Sequence, residues 1–263
     1  MTTWTRWRQG TCGDRRLAGR TIRAGRANRA RHGAAHRHRP RRGKGADVVL
    51  WGRSGGLEEV AGKVRDLGRE ATCVLTDLAE LDAVRSCAAA LLADREVDIL
   101  VNNAGIIRRG PAVETSWSDW RAVLDVNLDA VFLLSQALGA PMLERGRGKI
   151  INVASLLSFQ GGVGVPAYAA AKHAVAGLTR ALASEWAPAG VNVNAVAPGY
   201  VATDNTAPLR EDAERERAIR ERTPAGRWAE PDDVAGAIVF LASPAADYVH
   251  GHVLTVDGGW MAR

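Results

Sequence analysis

Tyr168 and Lys172, in the run Pro166-Ala-Tyr-Ala-Ala-Ala-Lys172, stand four residues apart, and Ser155 lies thirteen residues upstream of the tyrosine. On a helix, positions i and i+4 share a face, so this spacing sets an ammonium beside a phenol hydroxyl. A neighbouring cation favours the phenolate and draws a pKa that is ordinarily about 10 toward neutrality. The phenol then serves as a general acid or base. A serine delivered from a strand end can hydrogen-bond the oxygen whose proton moves. Such a trio suits the interconversion of an alcohol and a carbonyl. Tyr-x-x-x-Lys by itself also reads as a solvated surface pair, and the surrounding motifs decide between the two.

The elements that must position these residues follow from the pattern after Ala46, where short β-rich runs alternate with helical ones, as in a parallel sheet covered on both faces. Strands are expected at 48–51, 71–75, 97–101, 149–153, 191–196 and 253–256. Helices are expected at 57–68, 80–93, 116–139, from Tyr168 and Lys172 to about Trp186, near 209–221, and at 232–241. A chain of 263 residues with 46% hydrophobic content fits one such α/β domain. No run of eighteen apolar residues suggests a membrane span, and the N-terminus shows no secretory apolar region. Cys12, Cys73 and Cys87 are odd in number and lack CxxC spacing, which points to a reduced, cytoplasmic setting. His250 and His252 lack ligand partners at useful spacing, so no metal is expected.

The formal charge of +6 is unevenly placed. Residues 1–45 hold 13 Arg and one Lys against Asp14 alone, leaving 21 basic and 28 acidic side chains in the other 218 residues. The domain of 46–263 is therefore mildly acidic, and the leader of 1–45 is an Arg-rich segment expected to be disordered. Phosphate attraction would give that leader an affinity for nucleic acid. No nucleic-acid module accompanies it, so no such partner is expected.

With Asn102-Asn-Ala-Gly105, Ser155, Tyr168-x-x-x-Lys172, Pro198-Gly199 and Val256-Asp-Gly-Gly259 in order, the chain resembles the short-chain dehydrogenase/reductase family from about Gly45 to its end. Ala154-Ser-Leu-Leu-Ser-Phe-Gln-Gly-Gly162, Ala197-Pro-Gly-Tyr-Val-Ala-Thr-Asp-Asn-Thr206, Pro224-Ala-Gly-Arg-Trp228 and Asp257-Gly-Gly-Trp-Met-Ala-Arg263 are similar to members acting on sugar acids. The substrates so implied are 2-deoxy-D-gluconate or 2-dehydro-3-deoxy-D-gluconate. The resemblance implies a Rossmann-type doubly wound parallel sheet in a single domain, NAD or NADP as cofactor, and a homotetramer.

It also assigns roles. Tyr168 gives or takes the proton of the reacting oxygen, Ser155 orients that oxygen, and Lys172 lowers the phenol's pKa and binds the nicotinamide ribose. Asn127, in Asp125-Val-Asn-Leu128, is the fourth member, holding water that feeds protons to Lys172. Asn103, Ala104 and Gly105 follow a strand end where small residues allow a dinucleotide to approach. Asp77 and Leu78 match an adenine contact, and Pro198, Gly199, Val201 and Thr203 the loop against the nicotinamide carboxamide. Arg53 lies where an acid would select NAD and an arginine can pair with the 2′-phosphate of NADP. A solvated loop arginine is the other reading, and the choice stays open. Gln160, Tyr200, Trp228 and Trp260 are candidates for the substrate pocket.

One part of the family pattern is absent. The opening strand and the Gly-rich pyrophosphate turn are replaced by Arg-rich text, as a shifted reading frame produces. His36-Arg-His-Arg-Pro-Arg-Arg-Gly43, read one base later, encodes Thr-Ala-Thr-Ala-Leu-Ala-Glu-Ala in one codon choice. Two further readings therefore stand beside a sugar-acid dehydrogenase: a 3-oxoacyl or other carbonyl reductase, and an inactive remnant lacking its cofactor loop.

Overall fold

The computed structural model describes residues 45–53 and 56–263. The expectations for the Arg-rich leader, its reading frame and the absent glycine turn lie outside the described residues, as does Cys12. The described residues fall into two compact units, the smaller formed by 45–51 and 56–74, the larger by residues 52–53 and 75–263.

The smaller unit consists mainly of β1 (Val48–Gly52), α1 (Gly56–Asp66) and β2 (Ala71–Leu75), the strands being paired. Leu57 and Ala61, one turn apart, are the residues α1 buries. Glu58 and Glu59 in its first turn and Lys63 and Arg65 in its last suit the helix dipole. Asp47 ties the two strands together, pairing with Arg69 and accepting the Glu70 N–H at 3.0 Å.

The larger unit runs α2 (Leu81–Asp94), β3 (Ile99–Asn102), α3 (Trp117–Leu124), α4 (Ala130–Arg145), β4 (Gly148–Val153), α5 (Pro166–Trp186), β5 (Val191–Pro198), α6 (Ala207–Glu211), α7 (Ala213–Arg222), α8 (Pro231–Ala242) and β6 (Val253–Val256). Its sheet has the order β3-β4-β5-β6 and is parallel throughout, with Asn102 opposite Asn152, Val153 opposite Val196 and Pro198 opposite Val256. β5 lies between two strands and is buried from Val191 to Ala197, as expected of a parallel strand covered on both faces. Its two buried asparagines are not idle. Asn194 donates to Val249 O at 2.8 Å and accepts the His252 N–H at 3.0 Å, which fixes the entry to β6.

Two helices differ from the sequence expectation. The helix expected at 116–139 is two helices joined by a π turn at Asp125–Asp129, and α4 continues to Arg145 through Pro141. The run Trp117–Arg145 has the length and apolarity of a bilayer-crossing helix. Within it Leu133, Leu134, Leu138 and Met142 are buried in the core instead. The helix expected near 209–221 is broken at Asp212, whose Oδ1 accepts the N–H groups of Glu214 and Arg215 at 3.1 Å each. That capping interaction starts α7 afresh.

Candidate active site

α5 begins at Pro166, whose ring fixes φ and whose missing N–H costs nothing in a first turn. One turn on, Tyr168 and Lys172 share a face. The Lys172 Nζ lies 5.6 Å from the centroid of the Tyr168 ring. That ammonium donates to Val153 O at 2.6 Å, so β4 holds it in place. Two residues past the end of β4, Ser155 opens a short 3₁₀ turn and accepts the Leu157 N–H at 3.2 Å. The Ser155 side chain acts on the Tyr168 hydroxyl and lowers its pKa. Ser158 fastens the same turn to α5 by donating to Lys172 O at 2.6 Å.

Asn127 reaches this cluster from the π turn. It is fully buried, accepts the Ile106 N–H at 2.8 Å and donates to Ile106 O at 2.8 Å. The inserted residue of a π turn rotates a side chain off the ordinary helical face, a device frequent at functional sites. Between Asn127 and Lys172 lies Gly105. A β-carbon there would stand 3.2 Å from Asn127 Oδ1 and 3.9 Å from Lys172 Nζ. The missing side chain at Gly105 keeps the space beside the amine clear at the carboxyl edge of β3.

The electrostatics depart from the sequence expectation. Lys172 was expected to lower the phenol's pKa. In the structure, burial pushes the Tyr168 pKa up, and the groups opposing it are Ser155, by its hydrogen bond, and Arg109, by its charge. Lys172 is itself desolvated, which lowers its pKa to about 8. Arg109 is the functional candidate the sequence reading missed. Its only signal was its place in the loop just past Gly105, at a strand's carboxyl edge, where ligands of parallel sheets bind.

The remaining candidates occupy three places. Pro198 and Gly199 end β5, with Gly199 N–H donating to Val256 O at 2.9 Å. A β-carbon on Gly199 would meet Asp257 Cα at 2.8 Å, so only glycine fits. Val201 pairs with Ala229, and Thr203 leads into α6. Arg53 and Asp77 form an exposed ion pair at 3.4 Å, and Leu78 beside them is buried. No hydrogen bond or ion pair among the described residues joins that pair to Tyr168 or Lys172. Tyr200, Trp228, Trp260 and Gln160 do come together. Tyr200 packs on Trp228 and Trp260 with centroids 5.5 and 4.9 Å away, and Trp260 Nε1 donates to Gln160 Oε1 at 3.3 Å. Among the described residues no group of His, Cys, Asp and Glu is arranged to hold a metal.

A general acid or base on a phenol, a serine beside its hydroxyl and a buried amine behind it are equipment for moving a proton onto or off a substrate oxygen. Known proteins are similar to this chain. A profile described as Enoyl-(Acyl carrier protein) reductase matches residues 39–261. The 2-dehydro-3-deoxy-D-gluconate 5-dehydrogenase of Bacillus subtilis is 52% identical over 221 residues, 84% of this chain and 87% of that protein. A Beutenbergia cavernae structure described as an NAD(P) dependent gluconate 5-dehydrogenase, with NADP bound at low occupancy, is 60% identical with a TM-score of 0.82, covering 83% of this chain and 88% of that one. An Agrobacterium tumefaciens structure described as a 2-deoxy-D-gluconate 3-dehydrogenase, with bound NADP, is 55% identical with a TM-score of 0.76, covering 83% and 87%. Sequence and geometry agree, and the chain belongs to the short-chain dehydrogenase/reductase family.

Proposed function

We propose that the protein is an NADP-type dehydrogenase that interconverts a secondary alcohol and a ketone on a sugar acid such as 2-dehydro-3-deoxy-D-gluconate, 2-deoxy-D-gluconate or gluconate. The observation that carries this is Ser155 acting on the Tyr168 phenol, with Lys172 held beside it by Val153. The names of the relatives supply the substrate class.

Tyr168 gives its proton to the carbonyl oxygen in reduction and takes it back in oxidation. Ser155 orients that oxygen. Lys172, with a pKa of about 8, exchanges protons near neutrality and passes them toward the phenol. Asn127 holds the Ile106 backbone, and thereby the Asn103–Gly105 segment beside the amine. When bound, the dinucleotide supplies or accepts the hydride. Asn103, Ala104, Gly105, Pro198, Gly199, Val201 and Thr203 would hold its nicotinamide half, while Asp77 and Leu78 would meet its adenine. Arg53, exposed at the end of β1, would meet a 2′-phosphate, which favours NADP over NAD.

A homotetramer in the cytoplasm is part of the same reading, supported by the family resemblance and by free thiols at Cys73 and Cys87. The test is a fluorescence titration with NADPH and NADH, followed by turnover of keto sugar acids and of a 3-oxoacyl substrate. Saturable NADPH binding with sugar-acid turnover is expected. Absence of saturable binding would identify an inactive remnant, and preferential 3-oxoacyl reduction would replace the substrate class.

A further inference from the structure

Arg109 and Arg215 line one cleft of about 410 Å³, together with Gly110, Pro111, Val163 and Gly164. Its floor is set by backbone contacts, since Gly110 N–H donates to Gly164 O at 2.9 Å. Arg109 is steadied by a bond from its Nη2 to Asn205 O at 3.1 Å. Arg215 rides on α7, a helix held at both ends. Asp212 caps its start, and Arg263 bonds the carbonyls of Glu221 and Arg222 at 2.8 and 3.0 Å. The Arg222 guanidinium in turn sits 4.0 Å over the Trp260 ring.

These two arginines differ from a chain neighbour and a helix neighbour in having no acid. Arg108, next in sequence, pairs with Asp119 at 3.3 Å, and Arg220, on the same helix, pairs with Glu216 at 3.1 Å. Neither Arg109 nor Arg215 has a carboxylate partner among the described residues. Loss of solvent, and after it Arg215 as a like charge, lower the Arg109 pKa, and the phenols of Tyr168 and Tyr200 oppose this. Two cations turned to one cleft without compensation form a site that an anion improves. Arg109 also acts on Tyr168, so an anion held by this pair is connected to the group that handles the proton.

We propose that Arg215 is a specificity-determining residue: with Arg109 it binds the carboxylate of the substrate, so that sugar acids are taken in preference to neutral polyols of the same length. The proposal rests on the sugar-acid reading above. A planar guanidinium binds a carboxylate through two parallel N–H···O bonds, which a hydroxymethyl group cannot reproduce. Because Arg215 comes from a segment separate from the Ser155, Tyr168 and Lys172 cluster, its loss should weaken binding of the acid while leaving the proton-handling groups intact.

The test uses the full chain without dinucleotide, so that it does not depend on turnover. Calorimetric titrations with D-gluconate and with D-glucitol, which replaces the carboxylate by a hydroxymethyl group, are compared for the native chain and for Arg215→Gln. Expected is a roughly tenfold or greater weakening for D-gluconate with D-glucitol changed less than twofold. Arg215→Lys should recover part of the loss. Circular dichroism of Arg215→Gln should match the native chain, because an exposed side chain with no ion pair is removed. Equal weakening of both ligands, no weakening of either, or no preference of the native chain for D-gluconate would overturn the proposal. A chain that selects D-gluconate through Arg215 yet binds no NADPH would leave this inference standing and remove the dehydrogenase reading.

Discussion

Asn127 closes a pair of hydrogen bonds on the backbone of Ile106, accepting from its N–H and donating to its carbonyl oxygen, each at 2.8 Å. The amide side chain thus takes the place of a neighbouring strand for a residue just beyond the end of β3. It ties the turn that carries Gly105 to the helix pair α3 and α4. Asn127→Ala leaves both groups of Ile106 without partners and should cost about 2–4 kcal/mol, the usual penalty for unsatisfied buried polar groups. Denaturant unfolding gives the loss, and hydrogen exchange at the Ile106 amide locates it. A loss under about 0.5 kcal/mol with that amide still protected would show the pair to be dispensable.

A second buried polar chain crosses the sheet. Asn102 Nδ2 donates to Ser135 Oγ at 3.1 Å and to Asn152 Oδ1 at 2.8 Å, Asn152 Nδ2 donates to Thr179 Oγ1 at 2.9 Å, and that hydroxyl donates to Val175 O at 2.8 Å. β3, β4, α4 and α5 are therefore locked in one register relative to each other. Asn152→Ala should destabilise by roughly 2–4 kcal/mol and Thr179→Val by less. Because the two residues share a bond, the double variant should lose less than the sum. Additive losses in a double-mutant cycle would mean that the chain is not a network.

Where sequence and structure agree, the reason is local. β-branched runs such as Val191-Asn-Val-Asn-Ala-Val196 are buried on both faces, and their identity as strands needs no distant partner. Pro166 marks the start of α5, so the i, i+4 geometry of Tyr168 and Lys172 was legible before any coordinates. Ser155 was equally legible, because a strand must end before it. The π turn at Asp125–Asp129 was not, since its extra residue is stabilised by Arg121 reaching Asp129 at 2.8 Å and by Asn127 finding Ile106. Those partners lie outside any helical period. The break at Asp212 carried a signal, an Asp able to cap a new helix, but it was hidden in a charged run that scans as continuous. Arg109 was illegible for another reason: a loop arginine looks the same whether it meets solvent or a phenol.

Lys172 links stability to pH in a direction that can be stated in advance. Unfolded, it keeps its proton up to its ordinary value near 10.5, whereas burial in the folded chain lowers that value to about 8. Between these limits the unfolded chain binds more protons, so stability rises with pH across that window. The full cost of the buried charge is present below about pH 8. The rise amounts to roughly 3 kcal/mol at most from this one group. Lys172→Met has no proton to lose, so the native chain should gain on the variant as pH climbs from about 8 toward 10.5. Parallel stability profiles of the two chains across that range would show that the amine is solvated and not desolvated as the fold implies.

The phenol of Tyr168 is set by opposing influences, burial raising its pKa while Ser155 and Arg109 lower it. Removing the serine hydroxyl takes away the larger of the two lowering groups, so Ser155→Ala should shift the phenol's titration further up, as read by ultraviolet difference spectra against Tyr168→Phe. The same substitution should also slow turnover more at neutral than at alkaline pH, because less of the phenol is then available as a base. Tyr168→Phe retains the ring that packs near Lys172 but has no proton to exchange. Its turnover of a sugar acid should fall by about 10²–10⁴ or more, the range a positioned general acid contributes, with dinucleotide affinity little changed. A fall confined to KM would assign Tyr168 to substrate binding alone, and retention of rate would move the proton chemistry to another group.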